Sequence, residues 1–240
     1  DFNDAEVQNL LKNNSVSLQV RTAYAEKLEV RLDDACKSFL LDNNIHQDVR
    51  KAIAEHMQVE AIDSNLLDLY RGFNDYSQII ATTNRAFASY CRGQESIALS
   101  DDVLEICKLG SRYGDDAFRE LGEKLEIVGL NDPLTFEFLT NRSISSGLRG
   151  ACVARASFEF SNAFVNIMLD DNISRSVRKE LAQIVELSGV DDQVVRLFRD
   201  LPTAWRNTEI TTILNHRLAG FYEGGGEVEL TPAIVNFFAL

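Results

Sequence analysis

The chain has 240 residues, 45% hydrophobic and 25% charged, a balance that excludes wholesale disorder and supports either one large core or a stack of small units. Its 37 acidic against 24 basic residues give a formal net charge of −13, which repels phosphate backbones and anionic lipid and so disfavours nucleic acid and membrane-surface attachment. No stretch approaches the roughly 18 apolar residues of a membrane span, so no spanning segment is expected.

In chain order, Asp4–Lys12 reads as a short amphipathic helix with Asp4 as its N-cap, ending at the Asn13-Asn14 pair. A helix restarts near Ser17, with Val20, Tyr24 or Ala25, and Leu28 on one face, and Asp33–Leu41 gives the next. The stretch Leu40–Met57, LLDNNIHQDVRKAIAEHM, follows, and a close copy returns as Met168–Val185, MLDDNISRSVRKELAQIV. Each copy reads as a helix end, an Asp/Asn turn, and a new helix opening with Val-Arg-Lys. Further helices are expected over Ser100–Leu109, from Asp132-Pro133 through Leu139, and over Gln193–Leu201 after Asp191-Asp192. Gly224–Gly226 separates this body from Thr231–Leu240, an apolar segment expected to cap the stack; exposed, Phe237-Phe238 would favour aggregation. With only 3 Pro and 13 Gly in the chain, little or no sheet is expected.

The arginines serve as a ruler. Arg21 to Arg50 is 29 residues, and Arg149 to Arg178 is again 29. Positions five before, one before and four after each arginine are apolar in all four copies, as in Ile45, Val49 and Ala54 around Arg50. That stripe suits a helix packed inward on one side, with a small residue admitting a close neighbour. A further unit fits at Arg206, with Leu201, Trp205, Ile210 and Ile213 on the stripe; degenerate units are placed at Arg85 and Arg119.

A helix ending in Leu-x-Asp, an Asn/Asp turn, then Val-Arg with Ala four residues on resembles the HEAT repeat in its shorter bacterial forms. Leu41 through Ala54 and Leu169 through Ala182 carry the resemblance. It implies an all-α fold, a right-handed α-α superhelix in which antiparallel helix pairs stack as a solenoid of six to seven pairs. Residues 1–223 would form the repeat domain and 224–240 a Gly-rich hinge with a capping helix. The resemblance also implies a ladder between neighbouring repeats, built from Asp42, Asp170, Arg50 and Arg178; Arg21 and Arg149 match, but Asn13 and Asn141 replace the turn Asp and weaken it there.

Candidate chemistry is sparse. Five Asp-Asp pairs (33–34, 101–102, 115–116, 170–171 and 191–192) precede or open helices and read as caps, lacking the spacing of a calcium loop. His46, His56 and His216 are expected in turns or at the surface. Cys36, Cys91, Cys107 and Cys152 lack CxxC spacing and read as buried thiols in a reducing, cytoplasmic setting; DFNDAEVQ lacks the pattern of a leader peptide. No phosphate-binding or nucleophile-elbow motif occurs, so no catalytic, cofactor or metal residues are assigned. The expected function is a non-catalytic scaffold presenting an acidic surface to a protein partner with basic segments. One alternative is a regulatory or sensory domain of a longer bacterial signalling protein. A HEAT-like DNA glycosylase is the other, with Trp205 and Arg206 in a groove, although Trp205 sits on a core position and the charge is wrong for duplex DNA. Because function should lie where the copies differ, the irregular middle near 85–130 is the first place to look.

Overall fold

A computed structural model gives the structure, which describes residues 1–73, 78–110, 115–187, 189–201, 208–225, 232 and 235. Among these the chain is overwhelmingly helical, with fourteen helices and six two-residue strands, and it divides into two units, Asp1–Leu125 and Glu126–Leu240. Of the segment 224–240, expected to be a hinge and capping helix, only residues 224, 225, 232 and 235 are among the described residues.

The first unit holds four helix pairs: α1 (Ala5–Lys12) with α2 (Leu18–Ala25), α3 (Asp34–Leu41) with α4 (Gln47–Glu55), α5 (Ser64–Gly72) with α6 (Gln78–Gly93), and α7 (Asp101–Gly110) with α8 (Asp115–Lys124). First helices pack on first helices, α3 on α5 and α5 on α7; second helices pack on second helices, α2 on α4, α4 on α6 and α6 on α8. Each pair is followed by a two-residue extended segment: β1 (Val30–Arg31), β2 (Met57–Gln58), β3 (Ile97–Ala98) and β4 (Leu125–Glu126). β1 pairs with β2 in parallel, Val30 opposite Met57, and β3 pairs with β4. The first residue of each strand is buried and the second exposed. These short strands fit the expectation of little sheet; the sequence does not place them, because two residues are too short to show a period-2 alternation.

The second unit repeats the plan with α9 (Pro133–Thr140) and α10 (Ser146–Val153), α11 (Asn162–Leu169) and α12 (Arg175–Ile184), and α13 (Asp192–Asp200) and α14 (Thr208–Glu223). β5 (Phe158–Glu159) pairs in parallel with β6 (Val185–Glu186), α10 packs on α12, α12 on α14, and α11 on α13.

Caps set the phase of every repeat. Asp4, Asp33, Asp63, Asp132, Ser161 and Asp191 cap first helices, and the Ser100 hydroxyl accepts from the Val103 N–H. Ser17, His46, Ser145 and Ser174 cap second helices; each side chain accepts from a backbone N–H that the first turn leaves free. The Asp33-Asp34 and Asp191-Asp192 pairs therefore cap, as expected. Asp170-Asp171 lies instead between two helices, where Asp170 Oδ1 accepts from the Asn172 N–H.

The seventh residue after six of the seven first-helix caps is fully or almost fully buried: Leu11, Leu40, Tyr70, Cys107, Leu139 and Met168; after Asp191 it is the half-buried Phe198. This phase exposes a shift in the middle of the chain. Arg21, Arg50, Arg149 and Arg178 reach back to Leu11, Leu40, Leu139 and Met168, but in the third pair it is Asn84 that meets Tyr70, at 2.6 Å, and Arg85 faces solvent. In the fourth pair Phe118 takes the inward position and Arg119 is exposed. The arginine ruler is thus one residue out of register at both places. An aromatic cluster explains the exchange: the rings of Tyr70, Phe87 and Phe118 lie 6.1 to 6.3 Å apart and fill the space a guanidinium occupies elsewhere. Gly110 is required beside them, since a Cβ there would stand 2.2 Å from the Phe118 ring.

First helices of this unit are joined by an ion ladder. Lys37 Nζ meets Asp34 at 2.9 Å and Asp68 at 3.4 Å; Arg71 meets Asp68 at 3.9 Å and Glu105 at 3.2 Å; Lys108 meets Glu105 at 2.7 Å. The hydrogen bond from Lys108, and then the one from Arg71, hold the Glu105 carboxyl below its ordinary value. A carboxylate depressed by folding contributes stability that is present above its unfolded pKa and lost as pH falls through the folded one. Glu105→Gln is therefore expected to cost about 0.2–1 kcal/mol near neutral pH in low salt, allowing for solvent screening. The gap should close as the pH falls below the ordinary carboxylate range, as urea unfolding across a pH series would show.

Candidate functional site

Two grooves lie between successive second helices of the first unit. One lies between α2 and α4, about 450 Å³, lined by Leu18, Gln19, Thr22, Ala23 and Glu26 on one side and Asp48, Lys51, Ala52 and Glu55 on the other. Lys51 is the one cation among these residues, and Glu55 sits 3.7 Å from it. Glu26, Asp48 and Glu55 are exposed, so the groove is acidic.

A second groove lies between α6 and α8, about 390 Å³. On α6 its wall is Ala81, Asn84, Arg85, Ala88 and Arg92, a single stripe at helical spacing; on α8 it is Asp116, Arg119 and Glu120. Glu120 is the least exposed charge here, with 13% of its side chain accessible, and stands 3.8 Å from Arg92 and 3.6 Å from Arg119. Arg119 also lies 3.8 Å from Asp116. Arg85 donates to the Thr82 hydroxyl at 3.4 Å and has no carboxylate partner among the described residues. Three guanidinium groups against two carboxylates make this groove cationic in a chain of net charge −13. A planar guanidinium offers paired N–H donors that fit a carboxylate or phosphate.

Both grooves use the same repeat positions. With Asn84 in the place of Arg21 and Phe118 in the place of Arg50, Thr22 corresponds to Arg85, Lys51 to Arg119 and Asp48 to Asp116. The exchange of Thr22 for Arg85, together with Arg92 about two turns beyond, reverses the sign of the groove. Arg85 and Arg119 carry the signal in the sequence, but the shifted register gives both the place of the repeat arginine rather than of a groove wall.

The residues singled out for the repeat turns are placed as follows. Arg21 Nη1 donates to Leu11 O and Asn14 Oδ1, Arg50 Nη1 to Leu40 O and Asn43 Oδ1, Arg149 Nη1 to Leu139 O, and Arg178 Nη1 to Met168 O and Asp171 Oδ1. Asp42 and Asp170 accept from Asn44 N and Asn172 N; Asn13 and Asn141 do the same for Ser15 N and Ser143 N, so Asp and Asn are equivalent in this turn. These bonds close each hairpin on itself, and a ladder from repeat to repeat would need contacts other than these. In the first unit the ion ladder of Lys37, Asp68, Arg71 and Glu105 supplies such contacts between first helices. Its signal in the sequence is an acid and a base three residues apart in each of three first helices.

Trp205 and Arg206 lie outside the described residues. His46 is engaged in capping, its Nδ1 accepting from the Asp48 N–H at 3.2 Å. All four cysteines are buried thiols, and burial pushes Cys36, Cys91 and Cys152 up to about 12, with Asp33 adding to the effect at Cys36 and Glu120 at Cys91. A thiol held so far above neutral pH is a poor nucleophile. Among the described residues no group of three or more His, Cys, Asp and Glu side chains is placed to hold a metal ion, and no helix is long and apolar enough to cross a membrane. No protein-family profile, no curated protein and no solved structure matches the chain.

Proposed function

We propose that this chain is a protein-binding scaffold, a right-handed α-α superhelix of HEAT-like pairs whose acidic surface receives a basic segment of a partner protein. The observation that supports it is the α2/α4 groove, where Glu26, Asp48 and Glu55 line one trough with Lys51 as its one cation. Packing of first helices on first and second on second, within each unit, is the arrangement such a scaffold needs. An acidic trough attracts a Lys/Arg-bearing segment over several ångströms and fixes its register by charge.

A fluorescein-labelled Lys-rich peptide tests the reading by anisotropy titration at low and physiological salt. Neutralising Glu26, Asp48 and Glu55 together to Gln, Asn and Gln is expected to weaken binding about tenfold or more, whereas neutralising Glu95, Glu159 and Glu186, exposed elsewhere, changes it little. Equal losses in the two triple variants would reduce the binding to general attraction by net charge and overturn the proposal.

A further inference from the structure

The two grooves belong to one stack of second helices in one unit, and they carry opposite charge at equivalent positions. Resting on the reading above, we infer that the α2–α4–α6–α8 face takes a single extended peptide with basic residues at one end and acidic residues at the other. Its Lys/Arg end lies in the α2/α4 groove, and its Asp/Glu end meets Arg85 and Arg119 between α6 and α8.

Charge complementarity carries the choice of occupant. Arg85 is exposed and has no carboxylate of its own among the described residues, while Arg92 and Arg119 share Glu120 at 3.6 to 3.8 Å, longer than a close ion pair. A carboxylate entering between Arg85 and Arg119 gains a bidentate partner. A phosphate chain fits worse, because a continuous polyanion would run from these arginines into Glu26, Asp48 and Glu55. Packed helices stand 8–10 Å apart, so the centres of the two grooves, two helix spacings removed, lie roughly 20 Å apart. An extended chain advances about 3.3 Å per residue, which sets the two charged ends of the peptide about six residues apart. Lower-affinity attraction at each groove then adds through the tether, and the bipolar peptide outbinds either half.

The test uses the whole chain and labelled peptides in which Lys-Lys and Glu-Glu are separated by Ser/Thr spacers of about three, six and twelve residues, beside basic-only and acidic-only controls. The expected result is tightest binding at the middle spacing, at least about tenfold tighter than the basic-only control. Arg85→Gln with Arg119→Gln should remove that gain and leave the basic-only peptide unchanged; Arg85→Gln alone should remove part of it. Failure of the basic-only peptide to bind would sink the acidic-groove reading itself. Normal binding of that peptide, with no gain from the acidic end or no dependence on spacing, would overturn this inference alone. Self-association in sedimentation equilibrium that is lost in the Arg85→Gln/Arg119→Gln variant would assign the face to a second copy of the chain and equally overturn it.

Discussion

Replacing Phe87 by Ala is expected to destabilise the chain by about 3–5 kcal/mol. Phe87 has no exposed surface, and its ring stands 6.2 Å from that of Tyr70 and 6.1 Å from that of Phe118. These three side chains come from α5, α6 and α8, so the truncation opens a cavity that three helices would have to close together. Backbone rigidity in α6, which is 16 residues long, and the Tyr70 hydroxyl bond to Asn84 resist that collapse. Urea unfolding followed by far-ultraviolet circular dichroism reads the loss directly. A cost below about 1.5 kcal/mol would mean the cluster is loosely packed.

Arg178→Met and Arg149→Met should differ sharply although both arginines are almost equally buried, at 5% and 4% exposure. Arg178 bonds to the Met168 carbonyl at 3.1 Å and to Asp171 at 3.5 Å; Arg149 bonds to the Leu139 carbonyl at 2.7 Å, and Arg142 stands where the acidic or amide partner would be. In both, Nε is buried without a hydrogen-bond partner. Burial lowers the Arg149 guanidinium from its ordinary value with no neighbouring carboxylate to offset it. Removing a poorly compensated buried charge recovers desolvation free energy, so Arg149→Met is expected to change stability by no more than about 1 kcal/mol. Arg178→Met removes a better-satisfied group and should cost about 2–3 kcal/mol. Thermal unfolding of the pair decides the order, and the reverse order would mean that the short bond to Leu139 outweighs desolvation.

Helices and their phase were legible in the sequence because caps and apolar spacing are local. Asp4 caps its helix as expected, and Ser17, Ser100 and Asp132 stand at the expected helix starts. The regular repeats were legible too, since Arg21, Arg50, Arg149 and Arg178 each satisfy a carbonyl ten residues earlier, a fixed local distance. What escaped was set by partners distant in sequence. The inward place of Asn84 depends on Tyr70, and that of Phe118 depends on Tyr70, Phe87 and the bare face of Gly110. Arginine identity alone could not reveal that Arg85 and Arg119 had moved out to the surface. The cationic groove was hidden for the same reason, because it joins stripes from two helices separated by more than one turn of chain.

The strand pairs carry a lesson about how such a chain can lengthen or shorten. β1 joins β2, β3 joins β4, and β5 joins β6, so the repeats are stitched in twos. The most similar stretches, around Arg21 and Arg50 and around Arg149 and Arg178, fall on matching members of the first and third couples. A gene rearrangement that excises or copies one couple leaves every remaining strand with its mate, whereas loss of a single repeat orphans one. Among the described residues, then, insertion or removal of a whole couple is the change in length that keeps every strand hydrogen-bonded.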